Sequence, residues 1–98
     1  MSWELIGYVE HRILNADQAD EDYDRRCRRA WTLMTGGQRE VLAQLVRNGP
    51  LWDGDIASKA GRDDLLICRL ASRACVKGEQ GYTVATYRGW DVFKSAVT

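Results

Sequence analysis

Five cations in the second half of the chain, Lys59, Arg62, Arg69, Arg73 and Lys77, have the types and spacing to hold phosphate. On a helical wheel of about 100° per residue, Arg62, Arg69 and Arg73 cluster within roughly 40°. Lys59 lies in the preceding turn, and Lys77 stands beside a loop bounded by Gly78 and Gly81. Such guanidinium and ammonium groups donate charge-assisted hydrogen bonds to phosphate oxygens, so double-stranded DNA is the partner they suggest. This is binding chemistry, and no covalent chemistry competes with it. His11 is the only histidine, and Cys27, Cys68 and Cys75 are an odd number without zinc-ligand spacing. No phosphate loop is present. We expect no enzyme, no cofactor and no metal site, with the thiols serving as small apolar residues in a reducing cytoplasm.

Charge argues the other way. Lys and Arg together number 14, as do Asp and Glu, so the net charge is zero, whereas a nucleic-acid binder usually has a basic excess. Residues 1–34 hold five basic and seven acidic side chains, and residues 35–98 hold nine and seven. Asp63 and Asp64 open the helix that carries the arginines and would repel phosphate there. Its most outward positions are Asp64, Cys68 and Ser72. A host protein is therefore the alternative partner.

The elements that must position these residues follow from periodicity and caps. Val41, Leu42, Leu45 and Val46 mark one face of a helix that Thr35 and Gln38 open as a capping box and Gly49 with Pro50 closes. A short helix is expected over 55–60, ended by Gly61, and a third over about 62–72 with Leu66, Ile67 and Leu70 inward. Residues 72–78 and 82–86 alternate as strands around a loop at Glu79, Gln80 and Gly81, with Tyr82, Val84 and Thr86 on one face. Thr86 then caps a final helix bearing Trp90, Phe93 and Val97. The expected core is Val41, Leu42, Leu45, Leu66, Leu70, Val84, Trp90 and Phe93.

Residues 1–34 read as a separate helical arm. Leu5, Val9 and Ile13 form a helical stripe, although Gly7 leaves a strand as the alternative. A second helix starts at Asn15 or Asp17 and runs to about Met34. The run from Glu21 to Arg29 pairs acid before base four residues apart, Glu21 with Arg25, Asp22 with Arg26 and Asp24 with Arg28. That reads as a self-satisfied solvated face; the sharper reading gives Arg25, Arg26, Arg28 and Arg29 to phosphate or an acidic partner. Trp3, Val9, Ile13, Tyr23 and Trp31 exceed what one small domain covers, so we expect them to form a partner surface or the seam of a homodimer. No signal peptide is visible and no apolar run approaches the ~20 residues of a membrane span, so a soluble cytoplasmic protein without membrane contact is expected.

From Thr35 onward the chain resembles the winged helix-turn-helix superfamily. The matching residues are the Thr35–Val46 helix, the Gly61 turn, the Leu65–Leu70 helix, the Gly78–Gly81 wing and the Thr86–Gly89 closing motif. Ser58-Lys-Ala-Gly-Arg-Asp-Asp-Leu65 also resembles small bacteriophage and prophage proteins. In those a glycine commonly stands where this chain has Arg69, so the third helix is free to continue. The resemblance implies a mainly α fold with a small β-hairpin (α+β): a winged helix over 35–98 with a helical arm over 1–34. It further implies a phage or prophage transcriptional regulator that binds DNA. The alternative is a phage-encoded winged helix that inhibits a host or defence protein, as an anti-CRISPR or host-takeover factor does.

Overall fold

The computed structural model describes residues 3–97, which form five helices and a three-stranded antiparallel sheet. The arm is helical. Helix α1, Trp3–Tyr8, widens into a π turn over Val9–Ile13, where the Leu14 N–H reaches the Val9 carbonyl at 2.8 Å. Sequence explains the widening. Leu5, Val9 and Ile13 recur every four residues, a spacing that drifts about 40° per step around an α-helix. A wider turn takes that drift back, and all three side chains are fully buried.

Helix α2 spans Tyr23–Leu33, not 15–34. The chain before it spends its carboxylates on turns: Asp17 accepts from the Ala19 N–H and Asp20 from the Asp22 N–H, each at 2.9 Å. These local bonds compete with helix. Glu21 and Asp22 therefore precede the helix and do not pair with Arg25 and Arg26 as expected; Asp24 and Arg28 both lie within α2 and form no ion pair either among the described residues. Arg25 instead meets Asp22 at 3.7 Å and Arg26 meets Asp20 at 3.0 Å.

Helix α3, Gly36–Asn48, carries the expected capping box, with Gln38 N–H on the Thr35 hydroxyl at 3.3 Å and Thr35 N–H on Gln38 Oε1 at 2.9 Å. Strand β1, Leu51–Trp52, and a single 3-10 turn, Asp53–Asp55, lead into the stretch 55–60 where a second helix was expected; residues 56–58 are irregular instead, and 59 and 60 already belong to the next helix. The third expected helix is also shifted. Helix α4 runs Lys59–Ile67, because the Ser58 hydroxyl accepts from the Gly61 N–H at 3.0 Å and starts the helix early. Gly61 is thus inside the helix rather than at a turn between two. A Cβ there would sit 2.8 Å from the Gly37 carbonyl oxygen, so only glycine allows α3 and α4 this close. That contact sets the helix phase. Leu65 and Cys68 turn inward, fully buried, while Leu66 is half-buried and Ile67 exposed; Cys68, expected outside, is core.

Arg69 ends α4. Its φ of 62° places it in the left-handed region, and the Leu70 N–H bonds the Leu65 carbonyl at 3.0 Å while the Arg69 N–H bonds Leu66 at 3.2 Å. This is a Schellman ending with arginine in the glycine place. The helix stops there despite the missing glycine, which corrects the expectation that it continues. A non-glycine residue in this region costs about 1–2 kcal/mol, part of which glycine returns as chain entropy. Arg69→Gly should therefore raise stability by about 1 kcal/mol. A higher urea midpoint is the expected result, and an unchanged or lowered one refutes it.

Strands β2, Ala71–Val76, and β3, Glu79–Ala85, form the hairpin, and β3 lies between β1 and β2. Val76 pairs with Glu79, so the turn is Lys77-Gly78, both at positive φ, rather than residues 79–81. Gly81, at φ 94°, occupies a bulge in β3. Within β3 the buried residues are Thr83 and Ala85, whereas Val84 is half-buried. Helix α5, Tyr87–Val97, starts as expected at Thr86, whose hydroxyl accepts from the Gly89 N–H at 3.2 Å. Val92 and Phe93 face inward, and Trp90, an expected core residue, is 39% exposed.

One core holds everything together. Leu5, Ile13 and Cys27 of the arm belong to the same buried cluster as Leu42, Leu45, Leu65 and Val92. Val9, Ile13 and Tyr23 are buried and Trp31 is half-buried, so the apolar partner surface expected of the arm is largely consumed within the chain; only Trp3, at 69%, is open. The expectation underrated α5, which offers the arm a whole second face.

Candidate interaction surfaces

The five cations read from sequence divide into two sets. Arg62 and Arg73 come together, but around a carboxylate. Asp53, on the 3-10 turn, receives Arg73 Nη1 at 2.9 Å on one oxygen and Nη2 at 2.7 Å on the other. Arg62 Nη1 lies 3.3 Å from Asp53 Oδ1, and its Nη2 is 2.8 Å from Asp63 Oδ1. Thr83 completes the group, accepting from Arg73 at 3.1 Å and donating to Asp53 at 3.3 Å. The Arg73 hydrogen bonds hold the Asp53 carboxyl below its ordinary range. A phosphate at this place would have to displace a fork-fork pair already made. Because α4 ends at Ile67, Arg69 and Arg73 are not on it, and the wheel that aligned them with Arg62 does not apply.

Lys59, Arg69 and Lys77 are exposed and form no ion pair among the described residues. They are dispersed: Lys59 opens α4, Arg69 follows its end about 15 Å further along the axis, and Lys77 tips the hairpin.

Between these points the outward face of α4 is acidic and apolar. Ala60, Asp63, Asp64 and Ile67 line a hollow of about 390 Å³. Asp64 is fixed by Gln38 Nε2 at 2.8 Å, and Ile67 is 49% exposed. No cation lines it, so it offers phosphate nothing.

Helix α5 presents a further open apolar face. Tyr87, Trp90 and Val97 are 63%, 39% and 58% exposed, and Lys94 lies with its Nζ 5.4 Å from the Trp90 ring. The positions 87, 90, 94 and 97 follow the three-four-three spacing of a helix-pairing seam. Sequence reading placed Trp90 and Phe93 together in the core, and the structure separates them. Phe93 packs edge-on against Trp31 with centroids 5.9 Å apart, while Trp90 points out.

The inner side of α5 fastens the arm. Arg88 donates to the Ala16 carbonyl at 2.7 Å and is sandwiched between Tyr23 and Tyr87, 5.1 and 5.0 Å from their ring centres. Asp91 accepts from the Tyr23 hydroxyl and from Gln18, both at 2.7 Å. Burial pushes the Tyr23 hydroxyl well above its ordinary pKa and the Cys27 thiol up to about 11. Cys68 is likewise raised to about 11 by burial, so neither buried thiol is a nucleophile at neutral pH. Cys75 is exposed, and all three thiols are free. Among the described residues no cluster of three or more His, Cys, Asp or Glu is placed to hold a metal ion, and no helix is long and apolar enough to cross a membrane. No protein-family model, characterised protein or solved structure matches the chain.

Proposed function

We propose that this chain is a non-enzymatic, protein-binding module on a winged-helix plan, docking through the outer seam of α5. The order of α3, β1, α4, β2, β3 and α5 supports that plan, although a separate helix before α4 is reduced to the turn at Asp53–Asp55. The observation that carries the reading is the exposed run of Tyr87, Trp90 and Val97 along one helix face. Large aromatic side chains left open on a surface are the usual anchors of protein interfaces. The resemblance to phage-encoded proteins makes a host or defence protein the partner class, and a second copy of the chain is the other protein the seam fits.

Trp90→Glu tests this. Retention of a specific protein from a nuclease-treated bacterial lysate should survive high salt and fall by roughly 30-fold in affinity with Trp90→Glu, the size of an interface anchor. Capture that needs nucleic acid, or that ignores the substitution, would refute the seam.

A second reading keeps the chain as a DNA-binding regulator, favoured by the absence of an ion pair at Lys59, Arg69 and Lys77. It requires duplex binding that weakens steeply with salt and loses slope when these residues become alanine.

A further inference from the structure

We infer that the cleft between the π turn of the arm and helix α2 is a binding groove for a single strand of nucleic acid. Two hollows meet there. One of about 510 Å³ is lined by Glu4, Tyr8, His11, Arg12 and Arg29 among others, and one of about 280 Å³ by Tyr8, Arg12, Asp22, Arg25, Arg26 and Arg29. They share Tyr8, Arg12 and Arg29, so they run into each other as one groove.

Its charge is not self-satisfied. Arg26 pairs with Asp20, and Arg25 with Asp22 at the long distance of 3.7 Å, but Arg12 and Arg29 have no ion-pair partner among the described residues. Glu4 and Asp22 are the carboxylates in the lining, against four arginines. The π turn is what brings Arg12 and His11 to this wall. With Val9 and Ile13 held in the core, the widened turn presents the residues between them outward. π turns recur at functional sites.

Aromatic groups accompany the cations. Tyr8 lies at the junction of the two hollows, His11 is exposed in the larger one, and Trp3 is 69% exposed one turn before Gly7 of the wall. Arginines interleaved with open aromatic rings suit a strand whose phosphates meet guanidinium groups while its bases stack. An acidic peptide would use the arginines but leave the rings idle. A duplex keeps its bases stacked within itself and would leave the rings idle.

The experiment uses the full chain and fluorescence anisotropy of a labelled thymidine oligonucleotide, beside a duplex of equal length and a glutamate peptide. The oligonucleotide should bind most tightly. Arg12→Ala with Arg29→Ala should weaken it at least tenfold and reduce the slope of log affinity against log salt by about 1.4, two phosphate contacts on a single strand. Both side chains are exposed and outside the core, so an unchanged melting curve should accompany the loss. Trp3→Ala should weaken binding without changing the slope, which separates stacking from charge. Lys77→Ala, on the hairpin, should leave binding unchanged, which separates this groove from the DNA-regulator reading. No binding at low salt, preference for the duplex or the peptide, or full affinity in the double variant would overturn the inference.

Discussion

Gly89→Ala should cost about 3 kcal/mol or more, among the largest losses a single methyl group can cause in this chain. Gly89 sits in the first turn of α5, where an added Cβ would press into the Leu70 carbonyl oxygen, with the Leu42 side chain 3.3 Å away on the other side. Backbone cannot step aside there. The Leu70 carbonyl already accepts from the Thr86 N–H at 3.1 Å, and Gly89 itself donates to the Thr86 hydroxyl. Relief requires lifting α5 off the start of β2, which uncovers Val92 and Phe93. Domains of this size have roughly 5–15 kcal/mol in total, so the variant should lose a large share of its stability. Chemical denaturation followed by tryptophan fluorescence measures it. A loss under about 1 kcal/mol would show that the α5–β2 approach is not as tight as described.

Removal of residues 1–34 should abolish cooperative folding of the remainder. The sequence suggested that 35–98 could stand alone, but the arm covers the inner face of α5. Without it Phe93 loses Trp31, Arg88 loses the Tyr23 ring and the Ala16 carbonyl, and Asp91 loses both of its donors. Each large apolar side chain so uncovered forfeits about 1.5–3 kcal/mol. Arg88 is the worst case: its Nε and Nη1 are buried with no hydrogen-bond acceptor and rest on ring faces alone. The fragment should show no sharp thermal transition by circular dichroism and should aggregate. A monomeric fragment with a cooperative melt would instead return the chain to two independent parts.

What sequence revealed and what it hid divide by range. The capping box at Thr35 and Gln38, the stop at Gly49 and the cap at Thr86 are chemistry within four residues, and they fall where expected. They mark the two helices, α3 and α5, whose bounds agree best with expectation. Ser58 was missed although its spacing to Gly61 is a cap, because Gly61 looked like punctuation; its real role, admitting the Gly37 backbone, depends on α3. The turn at Lys77-Gly78 was hidden because lysine is an unusual occupant of left-handed backbone. Asp53 was invisible as a hub, since Arg73 is twenty residues away and only the 3-10 turn and the hairpin together bring them into contact. The arginine stripe failed with the helix that was to carry it. In the arm, the stripe of Leu5, Val9 and Ile13 was read correctly as helical, but its partner was sought outside the chain.

The clasp between α2 and α5 also governs when this protein can fold. Gln18 and Tyr23 find Asp91 across 73 and 68 residues, and Ala16 finds Arg88 across 72. Closing loops of that length carries an entropic toll before any contact repays it. On a ribosome adding about 5–20 residues per second, the arm emerges first and its apolar face waits several seconds for α5. During that interval Leu5, Val9, Ile13 and Cys27 are open to any holding chaperone. Chains stalled or cleaved ahead of Arg88 lack the element that completes their core.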